Sequence, residues 1–159
     1  MYKRQPYIHG GGKIGVMVRA ESPAGATPEV LAAAKDCALQ VAAMNPPYLK
    51  REDVPAAVLD EEKKIILAQM AEDPKMANKP EQVKEKIAAG KVGKYYGENC
   101  LLEQAFVKEN KETVQSYVDG VAKAAGTTIA ITDFVRFERG EGIEKKADNF
   151  AEEIASMIK

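Results

Sequence analysis

Two strand-like stretches at opposite ends of the chain limit what it can fold into more than any other feature. The clearer one opens Thr127 to Glu144, TTIAITDFVRFERGEGIE. β-Branched and aromatic residues fill its first half, and reading every second residue puts Ile129, Ile131, Val135 and Phe137 on one side, interrupted by Asp133. The other side, Thr128, Ala130, Thr132, Phe134 and Arg136, is small or mixed. Period-two alternation of this kind predicts a strand with one apolar face. The second stretch is Lys13 to Arg19, where Ile14, Val16 and Val18 share a side. Pairing the two strands closes the fold around everything between them.

What lies between is helical. Thr27-Pro28-Glu29 is a strong helix start, a hydroxyl cap followed by a proline where no N–H is missed. Val30, Ala34, Cys37, Ala38 and Val41 form its apolar stripe, and Asn45-Pro46-Pro47 ends it. From about Pro55 to Glu72, and again from Pro80 to about Tyr96, the chain is helical but charged, with narrow stripes. The first stripe is Val58, Ile65, Ile66 and Met70; the second is Val83, Ile87, Val92 and Tyr95. A short polar link, Asp73 to Lys79, predicts an antiparallel hairpin that projects from the body. Leu101 to Val107 reads as extended, a third strand or a docking segment. Asn110 to Ala125 reads as a helix with Val114, Tyr117, Val118 and Val121 inward, closed by Gly126. A last helix, capped by Asp148, shows Phe150, Ile154 and Ile158 on one face. Met1 to Gln5 has no periodicity and reads as a frayed or non-native lead-in. The fold expected is therefore α+β: a small antiparallel sheet packed by helices over residues 6–159, with a helical arm at 55–96 inserted.

Composition narrows the function. A net charge of −1 and a pI near 6.0 lack the basic balance that meets phosphates, so direct nucleic-acid binding is not expected. No apolar run approaches the roughly 20 residues of a membrane span, and the opening residues do not read as a secretory leader. One histidine and two distant cysteines, Cys37 and Cys100, are too few for the usual metal sites, and the cysteines read as reduced, buried thiols. Gly10-Gly11-Gly12-Lys13 invites a phosphate-loop reading, and so an enzyme acting on a phosphorylated ligand. The lysine is followed by Ile14 rather than Ser or Thr, however, and the glycines precede a strand. Glycines that let the backbone turn tightly or come close to a partner fit better. His9 beside them has no Ser, Cys or second His near it in sequence, so it reads as a satisfied or surface residue before a general base or ligand, and the flexible glycines add only slightly to a partner-contact role. The residues taken by themselves describe a binding module rather than an enzyme, without metal or cofactor.

Several motifs in fixed order then resemble one family. Tyr7-Ile8-His9-Gly10-Gly11-Gly12-Lys13-Ile14-Gly15-Val16, Arg51-Glu52-Asp53-Val54-Pro55, Leu102-Glu103-Gln104-Ala105-Phe106-Val107 and Phe137 to Lys145 are similar to bacterial elongation factor Ts. That family exchanges guanine nucleotide on elongation factor Tu in the cytoplasm. The resemblance covers Tyr7 to the end and implies the family's C-terminal core, its coiled-coil arm and its C-terminal helix. It assigns partner contact to His9 and Gly10 and to Phe106 and Val107, the latter facing the partner's third domain. Lys108-Glu109-Asn110 departs from the family's pattern there. The family's N-terminal docking domain and first core half, which carries a Thr-Asp-Phe-Val wedge, are not found before Tyr7. Thr132-Asp133-Phe134-Val135 spells the same letters but falls where the family has a structural strand. The expectation is a chain that binds elongation factor Tu yet exchanges nucleotide poorly alone, with self-association as a homodimer the alternative.

Overall fold

The computed structural model describes residues 2–73, 76 and 79–142. Its centre is a three-stranded antiparallel sheet in the order β1 (Tyr2–His9), β2 (Ile14–Glu21), β5 (Ala130–Glu138). The pairing of the two strand-like stretches is thus present. The lead-in read as frayed is not: Tyr2 lies opposite Glu21 and Gln5 opposite Val18, so this segment is the first half of β1. An edge strand is held by its backbone ladder, which needs no apolar period to announce it.

The inner face of the sheet, Val16, Val18 and Ala20, packs on helix α1 (Pro28–Met44). Val30 N–H donates to Thr27 Oγ1 at 3.4 Å at its start, and Asn45, at φ 46°, ends it in the left-handed region that asparagine tolerates. Ala33, Ala34, Cys37, Ala38 and Val41 are all buried, and a stripe this small brings the helix backbone close to the strands. A further helix, α4 (Val114–Ala124), adds Val114, Val118 and Ala122 to the same core. It begins later than the sequence predicts. Glu109–Thr113 forms strand β4 against β3 (Ala105–Phe106), and Thr113 is the cap, accepting from Ser116 N–H at 3.2 Å. The apolar segment before it is extended only at Ala105 and Phe106, because Leu101–Glu103 forms a 3-10 turn that buries Leu101.

The largest departure lies within β5. Ala20 faces Ile131 and Arg19 faces Asp133, so Thr132 is one residue too many for the ladder. Such a bulge reverses which side chains face the core beyond it. Ile129 and Ile131 are buried as expected, but after Thr132 the inward residue is Phe134. Val135 and Phe137, expected on the buried face, are exposed, Phe137 by 66%.

Between α1 and β3 stand α2 (Ala56–Glu72) and α3 (Glu81–Asn99). Their seam is Ile66, Met70, Ala88 and Val92, flanked by Leu59, Ile87 and Tyr96, a cluster distinct from the body's. Ile65 and Val83, expected in it, are exposed. At the root of this hairpin Arg51 makes two 2.7 Å bonds to the Glu103 carboxylate, and its guanidinium lies 5.2 Å from the Tyr96 ring centroid. These contacts hold Arg51 charged, the Glu103 hydrogen bonds most of all. Leu101 N–H and Leu102 N–H donate to the carbonyls of Tyr48 and Leu49, so the two ends of the arm sit side by side. Replacing residues 55–96 by a short Gly/Ser link is accordingly expected to leave one cooperative unfolding transition, since loop closure changes by only about 0.6 kcal/mol per doubling of length. Loss of cooperativity in a urea titration would make the arm part of the core. The helix expected at Asp148 lies outside the described residues.

Candidate functional site

The residues singled out by sequence fall into two groups. His9 and Gly10 stand at one end of the three-stranded sheet; Phe106 ends a strand of the separate two-stranded sheet, and Val107 lies in the turn that follows it.

His9 ends β1 and is exposed. The hydroxyl of half-buried Tyr7 lies 3.1 Å from its Nδ1, with ring centroids 5.9 Å apart. With the hydroxyl as donor, Nδ1 accepts, and the proton of the neutral ring sits on Nε2. Gly10, Gly11 and Gly12 follow at φ of 60°, 64° and 89° and fold a 3-10 turn, closed by Lys13 N–H to Gly10 O at 3.4 Å. Three successive left-handed residues are affordable only for glycine. The turn joins two antiparallel strands. A phosphate loop instead feeds a helix N-terminus, whereas this turn leads straight into β2. Ile14 pairs with Glu138, and Arg139 N–H donates to Lys13 O at 2.8 Å, so Gly140-Glu141-Gly142 comes to the same end of the sheet. There Glu138 N–H donates to the Glu141 carboxylate at 3.1 Å. The two glycine motifs, far apart in sequence, form one edge with His9 on it.

Phe106 is 2% exposed and stacks on Tyr117, centroids 4.2 Å apart and planes inclined by 18°. Its ring is therefore a core element, and the surface of this segment is the tip formed by half-buried Val107 and exposed Lys108. Lys108 pairs with Asp36, whose other oxygen accepts from the Tyr117 hydroxyl at 2.7 Å. Burial, together with this bond to Asp36, pushes the Tyr117 hydroxyl well above its usual pKa. Sequence reading assigns no role to Asp36 or Gln40; Tyr117 is expected inward on its helix and Gln104 lies in a family-like motif, but neither is tied to this tip by sequence alone. A signal existed for Gln40, a polar residue on the apolar stripe of α1 between Cys37 and Val41.

Cys37 and Cys100 are free and buried; burial pushes their thiols up to about 12 and about 11, leaving little of the nucleophilic thiolate at neutral pH. Among the described residues no group of three or more His, Cys, Asp or Glu side chains is arranged to hold a metal, and no helix is long and apolar enough to cross a membrane. The geometry offers exposed turns at the ends of paired strands.

Residues 3–141 match the family model described as elongation factor TS. The chain belongs to the elongation factor Ts family. It is 47% identical over 155 residues to elongation factor Ts of Clostridium kluyveri, covering 97% of this chain and 49% of that protein. It is 45% identical over 153 residues to elongation factor Ts of Syntrophotalea carbinolica and 48% identical over 153 residues to that of Clostridium perfringens, in each case covering 96% of this chain and 49% of the relative. The chain thus spans about half the length of the curated relatives it matches. The elongation factor Ts match takes in the Gly10–Gly12 turn, the arm and the Val107–Lys108 tip.

Proposed function

We propose that this chain is a translation elongation factor component that binds elongation factor Tu in the cytoplasm, with no chemistry of its own. The family match over residues 3–141 carries this reading. Support comes from the placement of His9 and Gly10 on an exposed sheet end and of Val107 at the tip of a hairpin. Phe106 contributes from below, as the floor on which that tip rests.

Alone, the chain speeds GDP release little. An exchange factor can shift a nucleotide equilibrium only by its differential affinity for the empty and loaded states, and contacts that bind both equally shift nothing. The Phe134 of Thr132-Asp133-Phe134-Val135 packs against the body core, which suits a strand and not a wedge. The test is a titration of the chain into elongation factor Tu, followed by sedimentation, together with stopped-flow release of a fluorescent GDP. Association with release unchanged is expected. Absence of association would sink the binding role, and release as fast as with an intact elongation factor Ts would sink the exchange deficiency.

A second reading, self-association, is favoured by the outer face of the sheet. Ile8 and Phe137 flank Gly15 on one rung, and Met17 lies beside Val135 on the next. Ile8 is 74% exposed, and the other three apolar side chains are exposed too. If this face joins two copies, Phe137→Lys turns a sedimenting dimer into a monomer; a monomeric parent chain would exclude it.

A further inference from the structure

The tip between β3 and β4 is a two-residue loop, Val107 and Lys108, because Phe106 pairs with Glu109. Loops this short normally use turns with positive φ, and so glycine, asparagine or aspartate. Here the residues are valine and lysine, and among the described residues the only non-glycine with positive φ is Asn45. The local sequence therefore does not favour the turn, and something outside it must hold it. Two side chains of α1, one helical turn apart on the same face, do so. Asp36 pairs with Lys108. Gln40, wholly buried, accepts from Val107 N–H at 2.9 Å and donates through Nε2 to Ala105 O and to Gln104 Oε1, both at 3.1 Å. Gln104, also buried, donates through Nε2 to Glu98 O at 2.8 Å, and its main-chain carbonyl accepts from Val114 N–H at 3.0 Å. Every group of the Gln40 amide is thus spent on the segment leading to the tip or on its anchor.

We infer that Gln40 is a positioning residue: from inside the body it sets the backbone of the Val107–Lys108 tip, and with it the tip's fit to elongation factor Tu. The consequence for binding rests on the partner contact proposed above; the positioning itself does not. A charge at position 40 would meet an enclosed site, whereas a neutral amide supplies one acceptor and two donors at no such penalty.

The experiment compares Gln40→Met with Val18→Ala, a core change in the sheet. Amide hydrogen exchange is read at Val107, and association with elongation factor Tu is measured for each folded variant. Gln40→Met is expected to speed exchange at Val107 by about tenfold over both the parent and Val18→Ala, and to weaken association by at least about fivefold, as an unpaired buried amide partner implies. Val18→Ala is expected to bind like the parent. Equal Val107 exchange in the two variants would overturn the inference, as would unchanged association with a released tip. Should Gln40→Met not fold, Gln40→Asn, whose amide falls one methylene short, is read by the same criteria. If the parent chain does not bind elongation factor Tu, the proposed function fails, and Val107 exchange alone decides the positioning role.

Discussion

Shortening Leu101 to alanine is expected to lower the unfolding free energy by about 3 to 4 kcal/mol, in the upper part of the range for leucine truncations in cores. Leu101 is wholly enclosed and among the largest such side chains in the body. The size of the loss depends on how far the surroundings can collapse into the cavity, and here they are pinned. Leu101 N–H is bonded to Tyr48 O at 2.9 Å, Leu102 N–H to Leu49 O at 3.0 Å and Gln104 N–H to Cys100 O at 3.0 Å. A 3-10 turn held on both sides cannot slide inward. Urea denaturation of the variant measures the loss directly. A fall under about 1 kcal/mol would mean that the root of the arm is loose and that Leu101 is not an anchor.

The second large effect is a contrast within β5. Phe134→Ala is expected to destabilise by about 2 to 3 kcal/mol, below the full range for buried phenylalanine because the ring is only half-buried. Phe137→Ala, three residues on and 66% exposed, should stay within about 0.5 kcal/mol. Strict alternation from Ile131 predicts the reverse order, so the pair of denaturation curves locates the bulge at Thr132 without a structure. If Phe137→Ala proved the costlier, the register beyond Arg19 would be wrong.

Elements were legible in the sequence where their cause is local. Helix α1 is announced by Thr27-Pro28 and by a stripe of small apolar residues, and its side chains are buried where that stripe says. The β2–β5 pairing was legible because Ile14, Val16 and Val18 in one stretch and Ile129 and Ile131 in the other alternate with period two. What failed depends on partners distant in sequence. The bulge is decided opposite Arg19 and Ala20, and nothing in Thr132 itself announces it. Asn110 and Thr113 are both good helix caps by residue type; the Phe106–Glu109 pairing and the Gln104 carbonyl choose Thr113. In the candidate site, His9 and its glycine turn could be located from sequence, since three glycines in a row leave few readings. Phe106 could be located too, but its role could not, because its stacking on Tyr117 exists only after α4 has docked.

The order of the sheet also bears on time. The middle strand is made before β5 and waits for it: the Ser22–Thr127 hydrogen bond, beside that pairing, joins residues 105 apart in sequence. Contacts of such separation form slowly, because a long loop must close before any of them is gained. The arm needs no such wait, since α2 and α3 are neighbours along the chain. A ribosome making this protein would release a hairpin able to fold at once, while β1 and β2 emerged as a two-stranded ribbon with its β5 edge open until the last strand arrived. For that interval the ribbon is an unfinished edge, and the chain's exposure to mispairing is set by the speed of translation rather than by the stability of the finished body.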